Sequence, residues 1–361
     1  MNYTPEPTHR HGTPVRTGVL LVNLGTPEAP TPAALRRYLA EFLSDPRVVE
    51  IPKLLWWPIL HGIILRLRPA KSAAKYASVW TPQGSPLAHW SARQAEALRN
   101  RLGPTDLIRV RHAMRYGQPG VASELDALKA EGCDRILILP MYPQYSGTTT
   151  GSVIDAVAAW STRTRRVPEL RWVNRYADHP AYIDALARRI EAHWQQQGPA
   201  ERLVMSFHGV PERTLHLGDP YHCECHKTAR LLAERLRLAP GSWQLTFQSR
   251  FGKAKWLEPY TEPTLQALAR EGVRSVQVVC PGFVSDCLET LEEVAMECKA
   301  AFLTAGGERY EYIPCLNDEP RWIEALADLV AQHTQGWPQL PQDDAERAAS
   351  RQRALSLGAD D

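Results

Sequence analysis

The sequence predicts an α/β protein of two similar domains. Each is a parallel sheet flanked by helices, and the first carries an apolar insertion. Three observations point there. Short β-rich runs alternate with longer amphipathic stretches, the order expected of strand–helix units around parallel sheets. Three strand-to-loop junctions occur twice, in the same order. The chain, at 361 residues, is long enough for two ordinary domains.

The predicted strands, in order, are GVLLVNLG (18–25), LIRVRHAM (107–114), DRILILPMYP (134–143), RLVMSFHG (202–209), WQLTFQS (243–249) and SVQVVCPGF (275–283). AALRRYLAEFL, SELDALKAEG, YIDALARRIEAHW, TARLLAERLR and TLQALAREG have helical periodicity and separate them. In the pairing of halves, VLLVNLGTP matches LVMSFHGVP, VRHAMRYGQ matches LTFQSRFGK, and ILILPMYPQYS matches VQVVCPGFVSD. The first half is longer by a Trp-rich segment and its flanks. The expected layout is a polar tail over 1–16, a first domain over 17–160 with an apolar lip at about 51–88, a second domain over 161–335, and a polar tail over 336–361, of which 341–361 is expected to add nothing to the core. Ligands gather at the carboxyl ends of strands in open α/β sheets, so all six junctions are expected to face one cleft.

Composition excludes several classes. The chain is 44% hydrophobic and 23% charged with a formal net charge of +2, too little to expect nucleic acid or a strongly acidic partner. Residues 1–16 are polar and rich in Pro and His, unlike a secretory signal. Seven cysteines without such a signal suit a reducing cytoplasm. The most apolar stretch, LLWWPILHGIIL (54–65), is about half the ~20 residues a spanning helix needs. With Lys53 before it and Arg66, Arg68 and Lys71 after it, it reads either as an interfacial helix or as a buried one.

Two groups of residues could carry chemistry. His208 stands where a strand gives way to a Gly/Pro loop, with no nucleophile beside it. After the last strand, Glu289, Glu293 and Glu297 are spaced i, i+4 and i+8, which on a helix makes one ridge of carboxylates, with Asp286 and Glu292 alongside. Such a row is either a solvated face or a route for cations or protons, and imidazole with carboxylate suits Fe²⁺. HCECH (222–226) invites a metal reading, but Cys-x-Cys is tighter than structural zinc spacing. GTTTGS (147–152) lacks the lysine and spacing of a phosphate loop.

NLGTP, YASVWTPQGSPL, RYG, MYPQYSGTTTGS, SFHGVP, GDPYHCECHKTARLLAERL, TFQSRFGKAKWLEPYT and GFVSDCLETLEE, in this order over about residues 17–330, together resemble the ferrochelatases, enzymes that insert Fe²⁺ into a porphyrin to make haem. The resemblance implies the chelatase fold, two Rossmann-like domains with a porphyrin cleft between them. It implies that His208 and Glu289 are catalytic and face each other across the macrocycle, with Glu293 and Glu297 as an acidic file leading outward, these four being the metal-contacting set. Arg68, Tyr76 and Ser85 fall at porphyrin-contacting positions, Arg68 and Ser85 near the propionates. Leu24, Arg115, Tyr116, Tyr142 and Ser249 match further pocket positions. Cys287 stands where many members have a second histidine.

The implied partners are protoporphyrin IX and Fe²⁺, both substrates, with no required cofactor and no nucleic acid. The implied location is cytoplasmic, with residues 54–65 touching the inner face of the membrane. Animal members take one ligand of a [2Fe–2S] cluster where this chain has Gly147 and the rest from a C-terminal extension, whereas no cysteine follows Cys315. An animal-type cluster is not expected; an arrangement using Cys223 or Cys225 stays open. Alternative readings are a coproporphyrin III ferrochelatase, a chelatase loading Co²⁺ or Ni²⁺ into a related tetrapyrrole, and a non-catalytic porphyrin or haem carrier.

Overall fold

Continuous apolar runs such as VLLV suit strands covered on both faces, which is how parallel sheets are built. A computed structural model describes residues 3–8, 10–103, 107–252, 254–337 and 343–360. Its first sheet is ordered β2-β1-β3-β4, from β1 (Arg16–Gly25), β2 (Ile108–Tyr116), β3 (Cys133–Pro140) and β4 (Glu169–Trp172). Its second is ordered β6-β5-β7-β8, from β5 (Arg202–His208), β6 (Trp243–Gln248), β7 (Ser275–Val279) and β8 (Arg309–Ile313). Every pairing is parallel. The duplication read from the sequence is thus a duplication of topology.

The first half carries α1 (Pro32–Leu43), α2 (Lys53–Ile59), α3 (Leu65–Val79), α4 (Pro86–Leu102), α5 (Val121–Ala130), α6 (Ser152–Ser161) and α7 (Pro180–Gln197). The second carries α8 (Arg213–His216), α9 (Tyr221–Arg235), α10 (Thr261–Arg270), α11 (Lys299–Thr304) and α12 (Pro320–His333), followed by α13 (Asp344–Ser356). A π-helical segment follows the third strand in each half, Gly147–Gly151 in the first and Glu289–Cys298 in the second. Even the turn after the second strand repeats. Met114 N–H donates to Pro119 O at 2.6 Å, and Phe247 N–H to Pro259 O at 2.8 Å.

β4 and β8 are additional to the six predicted strands. Each lies at an edge of its sheet, and ELRW and RYEYI mix charged with apolar residues instead of forming an apolar run. β4 also corrects the domain layout. It completes the first sheet, although its residues lie beyond 160, where the second domain was expected to begin.

Alternation along the strands divides the core. Val19 and Leu21 of β1 join Leu203, Met205 and Phe207 of β5 in one cluster shared by both halves. Leu20 and Val22 point the other way, into a cluster with α5 and α6. The shared core is lined by α4, α7, α9 and α12, with Trp322 and Tyr182 fully buried, their rings 6.0 Å apart. Burial of this kind is worth about 1.5–3 kcal/mol for each large apolar side chain, so the halves are held by a core and not by a linker. The sheet ends therefore stand in fixed relation.

The insertion between α1 and α4 is α2, a π-helical turn at Leu60–Ile64, and α3. Leu60, Leu65, Ala73 and Tyr76 pack onto Leu35, Tyr38 and Leu39 of α1. Its outer face is bare: Leu54 is 92% exposed, and Leu55, Trp57, Ile59, Ile63 and Leu67 are also exposed. Of the two readings of residues 54–65, the buried helix is the one that fails.

Trp337 opens the carboxyl-terminal tail. It is buried, donates from Nε1 to Glu169 at 2.7 Å, and lies under the Arg171 guanidinium. The rest of the described tail, α13, buries nothing and touches the amino-terminal segment through Arg347 and the Gly12 carbonyl. Parts of both predicted tails, residues 1, 2, 9, 338–342 and 361, lie outside the described residues.

Candidate active site

A strand-end loop is useful only if the next strand allows it close. At β5 the close approach is made by Gly209: a Cβ there would stand 2.8 Å from the Gln248 carbonyl oxygen. At β1 the equivalent Gly25, with φ +119°, would put a Cβ 1.8 Å from the Tyr116 oxygen. Both junctions need glycine, and His208 stands immediately before one of them.

His208 ends β5, paired with Gln248 of β6. Its Nδ1 is 2.6 Å from the Gly209 carbonyl, which can only accept, so Nδ1 carries the proton and Nε2 presents its lone pair. Burial pushes the imidazole pKa below its ordinary value, while the charge of Glu289 and the Gly209 bond oppose the shift. The ring is neutral at pH 7. Tyr221 steadies the same residue by donating to the His208 carbonyl at 2.9 Å.

Gln248, which the sequence reading passed over, ties the two catalytic candidates together. Its carbonyl accepts from Gly209 N–H at 2.7 Å, and its Nε2 donates to the Glu289 carbonyl at 3.1 Å. Its Oε1 accepts from Ser206 at 2.7 Å. β6 alternates apolar with polar residues, Gln244 and Thr246 before Gln248, so nothing along the strand marks it.

Glu289 opens the π-helix, so the predicted α-helical ridge is instead a widened helix, a feature common at functional sites. Asp286 anchors the loop ahead of it. It is buried and accepts from Tyr312 at 2.6 Å, Asn317 Nδ2 at 2.7 Å and Thr290 at 3.1 Å. Burial and the Glu289 carboxylate push the Cys287 thiol well above its usual range. Cys287 is therefore a neutral neighbour of Glu289, not a second base.

The acidic row continues outward. Burial and then repulsion from Glu289 raise Glu293 to about 7, against a hydrogen bond from the Ser249 hydroxyl. Ser249 holds that contact from a left-handed φ of +64°. Glu292 and Glu297 each accept from Lys75 of α3 at 2.9 Å.

Facing the row are aromatic groups of the first half. Tyr76 and Tyr38 are buried, and both feel the charge of Glu289. Tyr38 was not among the predicted residues; it lies on the inner face of a helix whose pattern announces only burial. Arg68 is partly buried, with its guanidinium 4.9 Å over the Phe251 ring and near the charge of Glu293. Leu24 packs in the cluster of Tyr38 and Tyr116. The Tyr142 hydroxyl is buried without a partner, near Tyr116, Tyr38 and Arg115.

Other predicted pocket residues have their polar groups engaged within the protein. Asp45, unmarked in the sequence reading, accepts from Arg115 Nη2 at 2.6 Å, the Tyr116 hydroxyl at 2.8 Å and Ser152 at 2.6 Å. Ser85 is buried and accepts from the Thr26 hydroxyl at 2.7 Å.

HCECH begins α9. Cys225 is fully buried and Cys223 exposed, because residues two apart on a helix point to opposite sides. The two thiols do not converge. GTTTGS and the two residues before it dock the halves: Gly147 N–H donates to Asp219 at 2.8 Å, and Tyr145 N–H to Glu224 at 2.7 Å.

Two matched parallel sheets, with their strand-end loops turned toward one another, define the chelatase class of fold. SirB from Bacillus subtilis, solved with Fe³⁺, aligns with a TM-score of 0.51 at 11% identity, covering 89% of this chain and 96% of that one. The same protein in its cobalt complex also aligns at 0.51. At that identity the likeness concerns the fold alone. The family is decided by sequence: the ferrochelatase family model matches residues 16–334, and the chain belongs to the ferrochelatase family. A ferrochelatase of Methylibium petroleiphilum is 65% identical over 361 residues, 99% of each chain. Those of a Polaromonas species and of Nitrosococcus oceani are 64% and 53% identical. The chain is thus a metal chelatase, a lyase of haem biosynthesis acting with iron.

Proposed function

We propose that the chain inserts Fe²⁺ into protoporphyrin IX, giving protohaem and two protons, at the last step of haem biosynthesis. The observation that carries the reading is His208, a neutral imidazole with its Nε2 lone pair available, coupled electrostatically to Glu289. A free-base porphyrin holds two N–H protons that must leave as the metal enters. Nε2 accepts one pyrrole proton and Glu289, at the head of the acidic row, takes the other, as Fe²⁺ enters the ring. No covalent bond to protein forms, which is why no nucleophile stands beside His208.

The ring's lone pairs point inward, so binding must bend the macrocycle to expose them, at the expense of contacts made elsewhere. Tyr76, Leu24 and the lip provide the apolar contacts. Arg68 and Ser85 take the propionate side. The orphaned Tyr142 hydroxyl supports a polar ligand atom in the same space, since buried hydroxyls without partners are rare. The acidic row supplies oxygen donors fit for Fe²⁺.

Glu293→Gln is expected to raise KM for the metal more than KM for the porphyrin. In the parent, Glu293 ionises through about 7, so metal KM falls as pH rises across that value; the variant loses this limb. Stability gives an independent check. The folded state holds the Glu293 proton above the ordinary carboxylate range, so its contribution to stability is full below that range and is lost as pH rises through about 7. Thermal unfolding of Glu293→Gln at pH 8 should therefore shift upward relative to the parent.

The exposed apolar face of residues 54–67, flanked by Lys53, Arg66 and Lys71, supports peripheral contact with the inner face of the membrane from the cytoplasm. Among the described residues no helix is long and apolar enough to cross a membrane. Leu54→Glu should weaken sedimentation with anionic phospholipid vesicles by about tenfold or more, the loss of one buried leucine. Unchanged binding would remove the lip from membrane contact.

Anaerobic turnover of protoporphyrin IX with Fe²⁺, followed by loss of porphyrin fluorescence, tests the whole reading. More than one equivalent consumed, and faster than coproporphyrin III, supports it. Preference for coproporphyrin III would overturn the substrate, and consumption limited to one equivalent would point to a carrier.

A further inference from the structure

The outer end of the acidic row is closed by a cation belonging to the protein itself. Lys75 Nζ lies 2.9 Å from Glu292 Oε2 and 2.9 Å from Glu297 Oε1. Glu292 is buried and Glu297 exposed, so the ammonium sits where the row meets water. It comes from α3, the lip helix that also carries Arg68 and Tyr76, and reaches across to the π-helix of the other half.

Two carboxylates gathered about one ammonium leave one negative charge uncompensated. A divalent ion in the same place would neutralise the pair, and its preferred donors are these oxygens. Lys75 and Glu297 are both half-exposed, and exposed ion pairs are weak, so the Glu297 arm opens readily; at the buried Glu292 the ammonium can leave only if another cation takes its place.

We propose that Lys75 is a cationic plug at the mouth of the metal route: its ammonium competes with the incoming divalent ion for Glu292 and Glu297, and its displacement both admits the ion and unlatches the lip helix from the π-helix. Lys75 is a positioning residue in this scheme. It touches neither the porphyrin nor the reacting nitrogens. The inference rests on the acidic row being the metal route.

The test compares Lys75→Met, which keeps the stem and removes the charge, with Lys75→Arg, which keeps the charge and adds a second point of attachment. At saturating protoporphyrin IX with Zn²⁺ or Fe²⁺ varied, Lys75→Met is expected to lower metal KM several-fold and Lys75→Arg to raise it. The effect should fall on metal KM rather than kcat. Mn²⁺ titration of the porphyrin-free protein by electron paramagnetic resonance should move the same way, tighter in Lys75→Met and weaker in Lys75→Arg. Metal KM and Mn²⁺ affinity unchanged in both variants would overturn the plug, as would a change confined to thermal stability. Glu293→Gln separates the two levels. If it raises metal KM while the Lys75 variants do nothing, the route stands and the plug falls. If Glu293→Gln leaves metal KM unchanged, the route itself falls.

Discussion

His208→Ala should slow metal insertion by about 10²–10⁴-fold, the usual worth of a positioned general base. The substitution removes the free Nε2 and little else. The only side-chain hydrogen bond of His208 among the described residues is to the carbonyl of its own neighbour, Gly209. The strand end remains tied by the backbone bond to Gln248 and by the Tyr221 hydroxyl. Circular dichroism and thermal unfolding should therefore match the parent, and porphyrin absorbance shifts should still report binding. Near-normal turnover in a folded, porphyrin-binding variant would remove His208 from the reaction.

Asp45→Ala should lose stability on the scale of a broken buried ion pair, about 3–5 kcal/mol. One carboxylate oxygen receives Arg115, Tyr116 and Ser152 together, and the carboxylate is almost wholly buried. Its removal takes the carboxylate from Arg115 Nη2 and the shared acceptor from two buried hydroxyls, leaving Arg115 Nε on Ser152 and the Tyr116 and Ser152 hydroxyls with each other. Burial alone would raise the Asp45 pKa, but the bonds from Ser152, the Arg47 N–H and Tyr116, with the charge of Arg115, hold it below the usual value. Its stabilisation is therefore complete above the ordinary carboxylate range and disappears only as pH falls through the depressed folded value. Urea unfolding at pH 7 should show the full deficit in Asp45→Ala, and Asp45→Asn, which keeps the shape, should lose less. A midpoint unchanged in Asp45→Ala would show that Arg115 and Tyr116 find other partners, and would return them to direct porphyrin contact.

These two expectations differ in how far they were legible. His208 stands out along the chain because an apolar run stops at a histidine before Gly and Pro. Glu289 and its row stand out by spacing. Asp45 has no such mark: it lies in a loop without periodicity, and its side-chain partners stand 70 to 107 residues further along the chain. Arg115, Tyr116 and Ser85 were legible as residues near the cleft, but not as residues already holding Asp45 or Thr26. Tyr38, Gln248 and Lys75 were missed for the same reason, each being ordinary for its own helix or strand. The edge strands β4 and β8 escaped because strands with one open edge need no continuous apolar run.

The sequence by itself determined the doubled α/β order, the six strand ends that carry the loops, the histidine and the carboxylate row, and the inserted apolar segment. Those features are written in periodicity and composition, which act between residues close in the chain. Only the tertiary structure decided that the lip faces outward, that the carboxylate row rides on a π-helix, and that Lys75 closes its outer end. It also decided which polar side chains are satisfied inside the protein and which, like His208 Nε2 and the Tyr142 hydroxyl, have no hydrogen-bond partner among the described residues. Buried donors and acceptors take whatever partner packing brings within 3 Å or so, and here those partners are often more than a hundred residues away.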